Sequence, residues 1–272
     1  VGALGCRGGV ARAAAERWLP RSARPRPRAK LAKPLNTWIT RHTHAGRRVI
    51  YERSPPWLAR ALGPTVTYLD LLVMDHGVFR LAYLNRHKLS ERAWRSAQPA
   101  PHDLAWFKKA GVKTILNLRG KRLCGGYRLE EAACRRLGLT LVDFAVRSRA
   151  SPSLMELRGA KELFERLECP VLMHCKSGAD RAGLMSVLYM HFVEGQPIEE
   201  AIGQLSLRYG HIKQADTGVI DHFFQTYIEA NRAQPIDFWT WVETEYRPAA
   251  VEESFKANHF ATRVVGTVLR RE

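Results

Sequence analysis

An α/β fold with a mainly parallel central sheet of about four to five strands, flanked by helices, is predicted for this 272-residue chain. Three observations predict it. Short β-branched and apolar runs at 112–118, 139–146 and 171–173 alternate with longer stretches whose apolar residues recur at helical spacing. Glycine or proline marks the changeovers, at Gly111, Gly138, Pro152 and Pro197. From Pro170 to Glu194 an apolar strand runs straight into a glycine-bearing loop and an apolar helix. A ligand loop is therefore expected between a central strand and the helix that follows it.

The first 56 residues read as a basic arm with little or no order. Repeated prolines and like charges, as in Arg24-Pro25-Arg26-Pro27-Arg28, oppose folding. Fourteen Lys and Arg face two acids over residues 1–60, so +12 of the formal +17 lies there. Two readings fit such an arm, a solvated tail or weak attraction to an anionic surface such as nucleic acid, acidic lipid or a phosphorylated substrate. Residues 57–90 carry apolar positions at helical intervals and are expected to form a helical N-terminal extension that packs on the domain or on a membrane surface. The stretch 65–84 is interrupted by Asp70, Asp75, His76 and Arg80, which excludes a spanning helix there.

Residues 91–232 read as the main domain. A short strand at 94–99 ends at Pro99, and a helix over 101–110 is closed by Gly111. The central strand 112–118 leads into Arg119-Gly120-Lys121-Arg122, cations placed beyond the carboxyl end of a strand, where ligands bind in open α/β sheets. A helix over 130–137 stops at Gly138, and the strand 139–146 follows. Arg147 and Arg149 come next, placed either to meet an anionic substrate or in a solvated loop. Ser151 is the expected N-cap and Pro152 the first turn of a helix running to 167. Past the central helix, an amphipathic helix should begin at Pro197 and run through Leu205. Residues 209–214 break it, and Gln214 reads as a polar loop residue. The segment 219–228 is helical, with Phe223, Phe224 and Tyr227 on its apolar face. Residues 233–272 form a C-terminal helical extension around Phe238, Trp239 and Trp241.

The chemistry concentrates in His174-Cys175-Lys176-Ser177-Gly178-Ala179-Asp180-Arg181. A loop entering a helix presents unpaired N–H groups and the positive end of the helix dipole, which suit a phosphate and a thiolate alike. Gly178 sits mid-loop, where backbone must approach a ligand closely. Cys6 and Arg12 have the same spacing but no strand before them, and are set aside. The His-Cys-x-x-Gly-x-x-Arg pattern, with its preceding strand and following helix, resembles the signature of the cysteine-dependent protein tyrosine phosphatase superfamily, nearest to its compact dual-specificity-like bacterial members. The resemblance covers about residues 93–225. It implies Cys175 as nucleophile, Arg181 as phosphate clamp and the loop Lys176, Ser177, Gly178, Ala179, Asp180 and Arg181 as the phosphoryl cradle.

The chemistry of these residues agrees with that implication. Helix N-termini and neighbouring cations favour the thiolate of a cysteine, the form that attacks phosphorus. An arginine binds two phosphoryl oxygens at once through a planar fork and stays charged. Phosphoryl transfer asks mainly for positioning and charge stabilisation, which backbone donors and one arginine supply without a metal or other cofactor. A cysteinyl phosphate would form and be hydrolysed. His174 reads as a residue holding the loop and thiolate rather than as a base. The leaving group needs a proton, and two carboxyls compete to give it. Asp180 matches the position of an aspartate in myotubularin-type lipid phosphatases and some bacterial relatives, whereas Asp143 follows the preceding strand, where many relatives place their acid. Their structural alternatives are a helix cap and a strand end. Relatives usually carry Ser or Thr after the arginine, to stabilise the departing thiolate, and this chain has Ala182. The hydrolysis of the intermediate is therefore expected to be slow.

Three functions remain after this reading. The first is a phosphomonoesterase acting on phosphotyrosine or phosphoserine in proteins, with a phosphoinositide or inositol polyphosphate as the alternative substrate. Lys176 is similar to a lysine at that loop position in some phosphoinositide phosphatases. The second is a sulfurtransferase, opposed by His174 and Arg181. The third is a phosphate-binding scaffold on nucleic acid or anionic membrane, which would not need the thiol. Five cysteines, Cys6, Cys124, Cys134, Cys169 and Cys175, without a Cys-x-x-Cys pair suggest neither a disulfide framework nor a zinc site, and a reducing cytoplasm fits a nucleophilic thiol. Cys124, Cys134 and Cys169 read as small hydrophobes, one of which could form a protective disulfide with Cys175. The oligomeric state is left open by the sequence.

Overall fold

The structure, a computed structural model, describes residues 84–122 and 124–257. The basic arm, most of the helical lead-in (57–83) and the chain beyond residue 257 lie outside the described residues. Strands β1 (His87–Ser90), β2 (Ala93–Ala97), β3 (Thr114–Asn117), β4 (Thr140–Asp143) and β5 (Val171–Cys175) form one sheet in the order β1-β2-β5-β3-β4. All pairings are parallel except β1 with β2. The expected α/β class and strand number hold. Strand β1 is the addition: its polar sequence HKLS falls at the end of the stretch read as helical lead-in, and it pairs as an antiparallel edge through the Glu91-Arg92 turn.

Helices α1 (Pro101–Lys109) and α2 (Gly125–Leu137) cover one face of the sheet. Leu104, Phe107, Val112, Ile115, Cys134 and Leu172 form the buried layer between. On the opposite face lie α3 (Leu154–Arg166), α4 (Asp180–Phe192), the short α5 (Ile198–Ala201), α6 (Val219–Ala233) and α7 (Phe238–Thr244). Helical turns resume at 248–257. This face holds the larger core, with Met173, Met185, Leu188, Phe223, Phe224, Phe238 and Trp241 all buried. Truncating a ring such as Phe223 to Ala there would cost roughly 3–5 kcal/mol.

Alternation along β5 sends Val171, Met173 and Cys175 toward the larger core and Leu172 toward the other face. Helix α4 is buried beyond the single apolar face that its sequence suggests. Residues Ala182 to Met190 are buried all round, because α3, α5, the 3-10 turn after α5 and strands β2 and β5 enclose it.

Four boundaries also differ from the sequence reading. Helix α3 is capped by Ser153, not Ser151. Ser153 Oγ accepts from the Glu156 N–H at 3.2 Å, and the Glu156 carboxylate accepts from the Ser153 N–H at 2.7 Å. Only Ser153 has a glutamate three residues on, so it alone closes a capping box. Ser151 is instead buried against the Tyr246 hydroxyl. Helix α2 starts five residues earlier than read, at Gly125. Strand β4 is shorter than 139–146. The helix from Pro197 gives way after Ala201 to a 3-10 turn at Ile202–Gln204.

Candidate active site

Cys175 ends the central strand β5 and is 3% exposed. Residues 176–179 turn from the strand into α4, whose first residues are Asp180 and Arg181. Gly178 has φ +75°, and a Cβ there would lie 2.6 Å from the Ala97 nitrogen and 2.7 Å from the Ser96 carbonyl carbon. Only glycine lets the loop lie this close against β2. Arg181 is half-buried in the first turn of α4, and its Nε is buried without a hydrogen-bond partner. Burial lowers its pKa, opposed by the Cys175 sulfur and reinforced by the charges of Arg122 and Arg119.

The loop is braced from the side of β2. Asn85 Nδ2 donates to the Ser177 carbonyl at 2.9 Å and to the Tyr209 carbonyl at 2.8 Å. Asn85 is 4% exposed and has φ +50°, a conformation that asparagine adopts more readily than most residues. Arg95 Nη2 donates to the Gly178 carbonyl at 2.7 Å and the Ala179 carbonyl at 3.1 Å. Three successive loop carbonyls are thus tied down by side chains.

Asp180 and His211 meet beside the loop. His211 is fully buried, with Nδ1 2.7 Å from Asp180 Oδ1 and Nε2 in short contact with Asp221 Oδ2. Burial alone would lower its pKa, but the hydrogen bonds and charges of the two aspartates outweigh burial and raise it to about 9. Asp143 sits elsewhere, at the end of β4, two strands away from β5. Its Oδ1 accepts from Asn117 Nδ2 at 2.7 Å and its Oδ2 from the Tyr127 hydroxyl at 2.6 Å.

His174 lies fully buried with its Nε2 2.5 Å from Glu130 Oε1, and Glu130 is buried too. Gln98 donates to the other Glu130 oxygen at 2.9 Å and accepts from Arg119 Nη1. A buried polar chain therefore runs from the residue before the cysteine to Arg119, one of the cations that act on Arg181. Arg147, for which a substrate-facing role and a solvated loop were both open, is committed to Glu156 through Nε at 3.1 Å and Nη2 at 2.9 Å. Arg149 is exposed. Among the described residues Cys124, Cys134, Cys169 and Cys175 form no disulfide, no group of His, Cys, Asp or Glu is arranged to hold a metal ion, and no helix is long and apolar enough to cross a membrane.

The family described as "DSP-PTPase phosphatase fused to NAD+ Kinase" matches residues 82–220, just over half the chain. The chain belongs to that family. A curated relative, the dual specificity protein phosphatase TpbA of Pseudomonas aeruginosa strain PAO1, is 28% identical over 156 residues, 56% of this chain. TpbA of strain UCBPP-PA14 is equally similar, and the match spans 59% of the length of each relative. Among solved structures, P. aeruginosa TpbA aligns with a TM-score of 0.44 at 19% identity, covering 57% of this chain and 93% of its own. Human DUSP28 gives 0.40 at 16%, covering 54% and 95%.

Cys175, Lys176, Ser177, Gly178, Ala179, Asp180 and Arg181 lie together because they are contiguous, and Asp143 lies two strands away. Four residues near the loop escaped the sequence reading: Asn85, Arg95, His211 and Glu130. Arg95 left a trace, being a charged residue within a strand next to the central one. Asn85, His211 and Glu130 left none beyond their polarity.

Proposed function

We propose that the chain hydrolyses phosphomonoesters, phosphotyrosine or phosphoserine in proteins, through a cysteinyl-phosphate intermediate. The observation that carries this reading is the buried Cys175 at the mouth of a braced glycine loop, with Arg181 in the next helical turn and its Nε left without a partner. Cys175 attacks phosphorus, Arg181 and the loop N–H groups take the phosphoryl oxygens, and water then cleaves the S–P bond. Family membership supports this reading, as does the similarity to TpbA, which bears the name of a dual specificity protein phosphatase.

Asp180 is the proton donor in this scheme. His211 holds only its Oδ1, which leaves Oδ2 for the leaving group, whereas both oxygens of Asp143 are committed. The loop 144–153 that follows β4 has no carboxylate to compete. A carboxyl delivers its proton best when it lies within hydrogen-bond reach of the leaving oxygen.

One observation favours a second substrate reading, a phosphoinositide or inositol polyphosphate. Arg119 and Arg122 both act electrostatically on Arg181, so further cations lie around the loop than one phosphate requires. Hydrolysis of a small aryl phosphate, a phosphotyrosyl peptide and an inositol polyphosphate by the full chain, each repeated with Cys175→Ser, tests both. Turnover of the aryl phosphate that disappears in the serine variant is expected. Turnover retained in that variant would remove Cys175 as nucleophile.

A further inference from the structure

Arg95 is an anomaly by ordinary electrostatics. Its side chain is 0% exposed. Among the described residues no carboxylate lies within ion-pair distance of it. Its Nη1 donates to the carbonyl and side-chain oxygens of Gln204 at 2.7 and 2.9 Å, its Nη2 donates to the two loop carbonyls, and its Nε is buried without a partner. Its guanidinium also stands 4.1 Å from the centre of the Tyr209 ring. All these partners are neutral. A fully buried charge left without an opposite charge is costly, so a fold that keeps one must supply compensation.

The sheet register shows where compensation lies. In the parallel pair β2–β5, Arg95 is opposite Met173 and Ala97 is opposite Cys175. Paired residues and their i+2 neighbours share a face, so Arg95 and Cys175 point to the same side, toward α4. Gly183 of α4 makes room for this. A Cβ at Gly183 would come within 2.6 Å of Leu205, 3.3 Å of the Gln204 carbonyl and 3.5 Å of Arg95 Nη2.

We propose that Arg95 is a positioning residue whose buried charge is balanced by the ionised sulfur of Cys175, and which holds the Gly178 and Ala179 carbonyls away from the bound phosphate. The proposal rests on the phosphatase reading. It adds a second cation, beneath the loop, to the Arg181 of the resemblance. Burial pulls the Arg95 pKa down to about 10, and the largest effect opposing that pull comes from Cys175, ahead of Tyr209 and Asp180. The other charged group facing the site from α4 is Arg181, and His87 on β1 feels the Arg95 charge in turn.

Alkylation of Cys175 by iodoacetamide, followed against pH by mass spectrometry of the Cys175 peptide, reads the thiolate directly and needs no substrate. In Arg95→Met the midpoint moves to higher pH and alkylation near neutral pH slows by about tenfold. Arg95→Lys keeps the charge and recovers most of that rate. A purely structural role would lower thermal stability in Arg95→Met and leave the midpoint where it is. If Arg95→Met does not fold, the Arg95 Nε–H resonance of the full chain, assigned by its loss in Arg95→Lys, gives the same answer. It shifts in step with the alkylation profile and stays flat in Cys175→Ser. An unmoved midpoint in folded Arg95→Met, or a resonance indifferent to Cys175→Ser, overturns the proposal. A parent protein with no thiolate at Cys175 overturns both this proposal and the reading beneath it. If parent turnover of aryl phosphate is intact, an unmoved midpoint overturns the Arg95 assignment alone.

Discussion

Asp180 and His211 share one hydrogen bond, Nδ1 to Oδ1 at 2.7 Å, and among the described residues nothing hydrogen-bonds the second oxygen of Asp180. Asp143 has no such freedom, since Asn117 and Tyr127 take one oxygen each. In the proposed scheme that difference makes Asp180 the proton donor and Asp143 a fastening for the end of β4.

The two aspartates should therefore respond differently to leaving-group chemistry. Asp180→Asn is expected to slow hydrolysis of an alkyl phosphate or phosphoserine peptide by roughly 100-fold or more, the usual contribution of a positioned acid. Its effect on an aryl phosphate with a good leaving group should be several-fold at most. Asp143→Asn should lower thermal stability and affect both substrates alike. Steady-state rates on a leaving-group series, with melting curves for both variants, check this.

His211 makes a prediction for stability against pH. Its folded pKa, about 9, lies above the ordinary value of 6.5. The stabilisation linked to its proton is fully present below about 6.5 and is lost as pH rises through 9. The loss should be on the order of a few kcal/mol at most. Two other groups stay out of this window. Burial lowers the His87 pKa, and burial pushes the Cys134 thiol up to about 12 from an ordinary value of 9. Denaturant unfolding between about pH 6.5 and 9 should show a falling stability that flattens in His211→Asn.

Ala182 is fully buried at the start of α4, where the resemblance to the tyrosine phosphatase superfamily implies a hydroxyl that stabilises the departing thiolate. Breakdown of the cysteinyl phosphate should then limit turnover. Stopped-flow hydrolysis of a chromogenic aryl phosphate should show a burst close to one product per enzyme, followed by a slower steady state. Ala182→Ser should raise the steady-state rate and shrink the burst. A linear trace from the first turnover would remove the idea.

The parts of the site legible in the sequence are those that are local. Strand β5, the loop and α4 follow one another without a gap, so an apolar run, Gly178 and an apolar helix were enough to place Cys175 and Arg181. The capping box of α3 is also written locally, as Ser153 and Glu156, although Ser151 beside Pro152 offers a competing cap-and-proline pattern. The bracing residues are not local. Arg95 meets Gly178 across 83 positions and Asn85 meets Ser177 across 92. Only the sheet order, with β2 beside β5, brings them together, and nothing in the spacing of residues states that order. Strand β1 was missed for a related reason. An exposed antiparallel edge needs no apolar face, so HKLS carried no period to read.

In the proposed mechanism Cys175 carries the phosphoryl group between two half-reactions. Rapid acid quench of the full chain during turnover of an aryl phosphate, followed by mass spectrometry of the peptide containing residue 175, tests it most directly. A phosphoryl adduct on Cys175 should appear within the burst, decay once substrate is exhausted and be absent from Cys175→Ser. Turnover with no adduct on that cysteine at any quench time would contradict it.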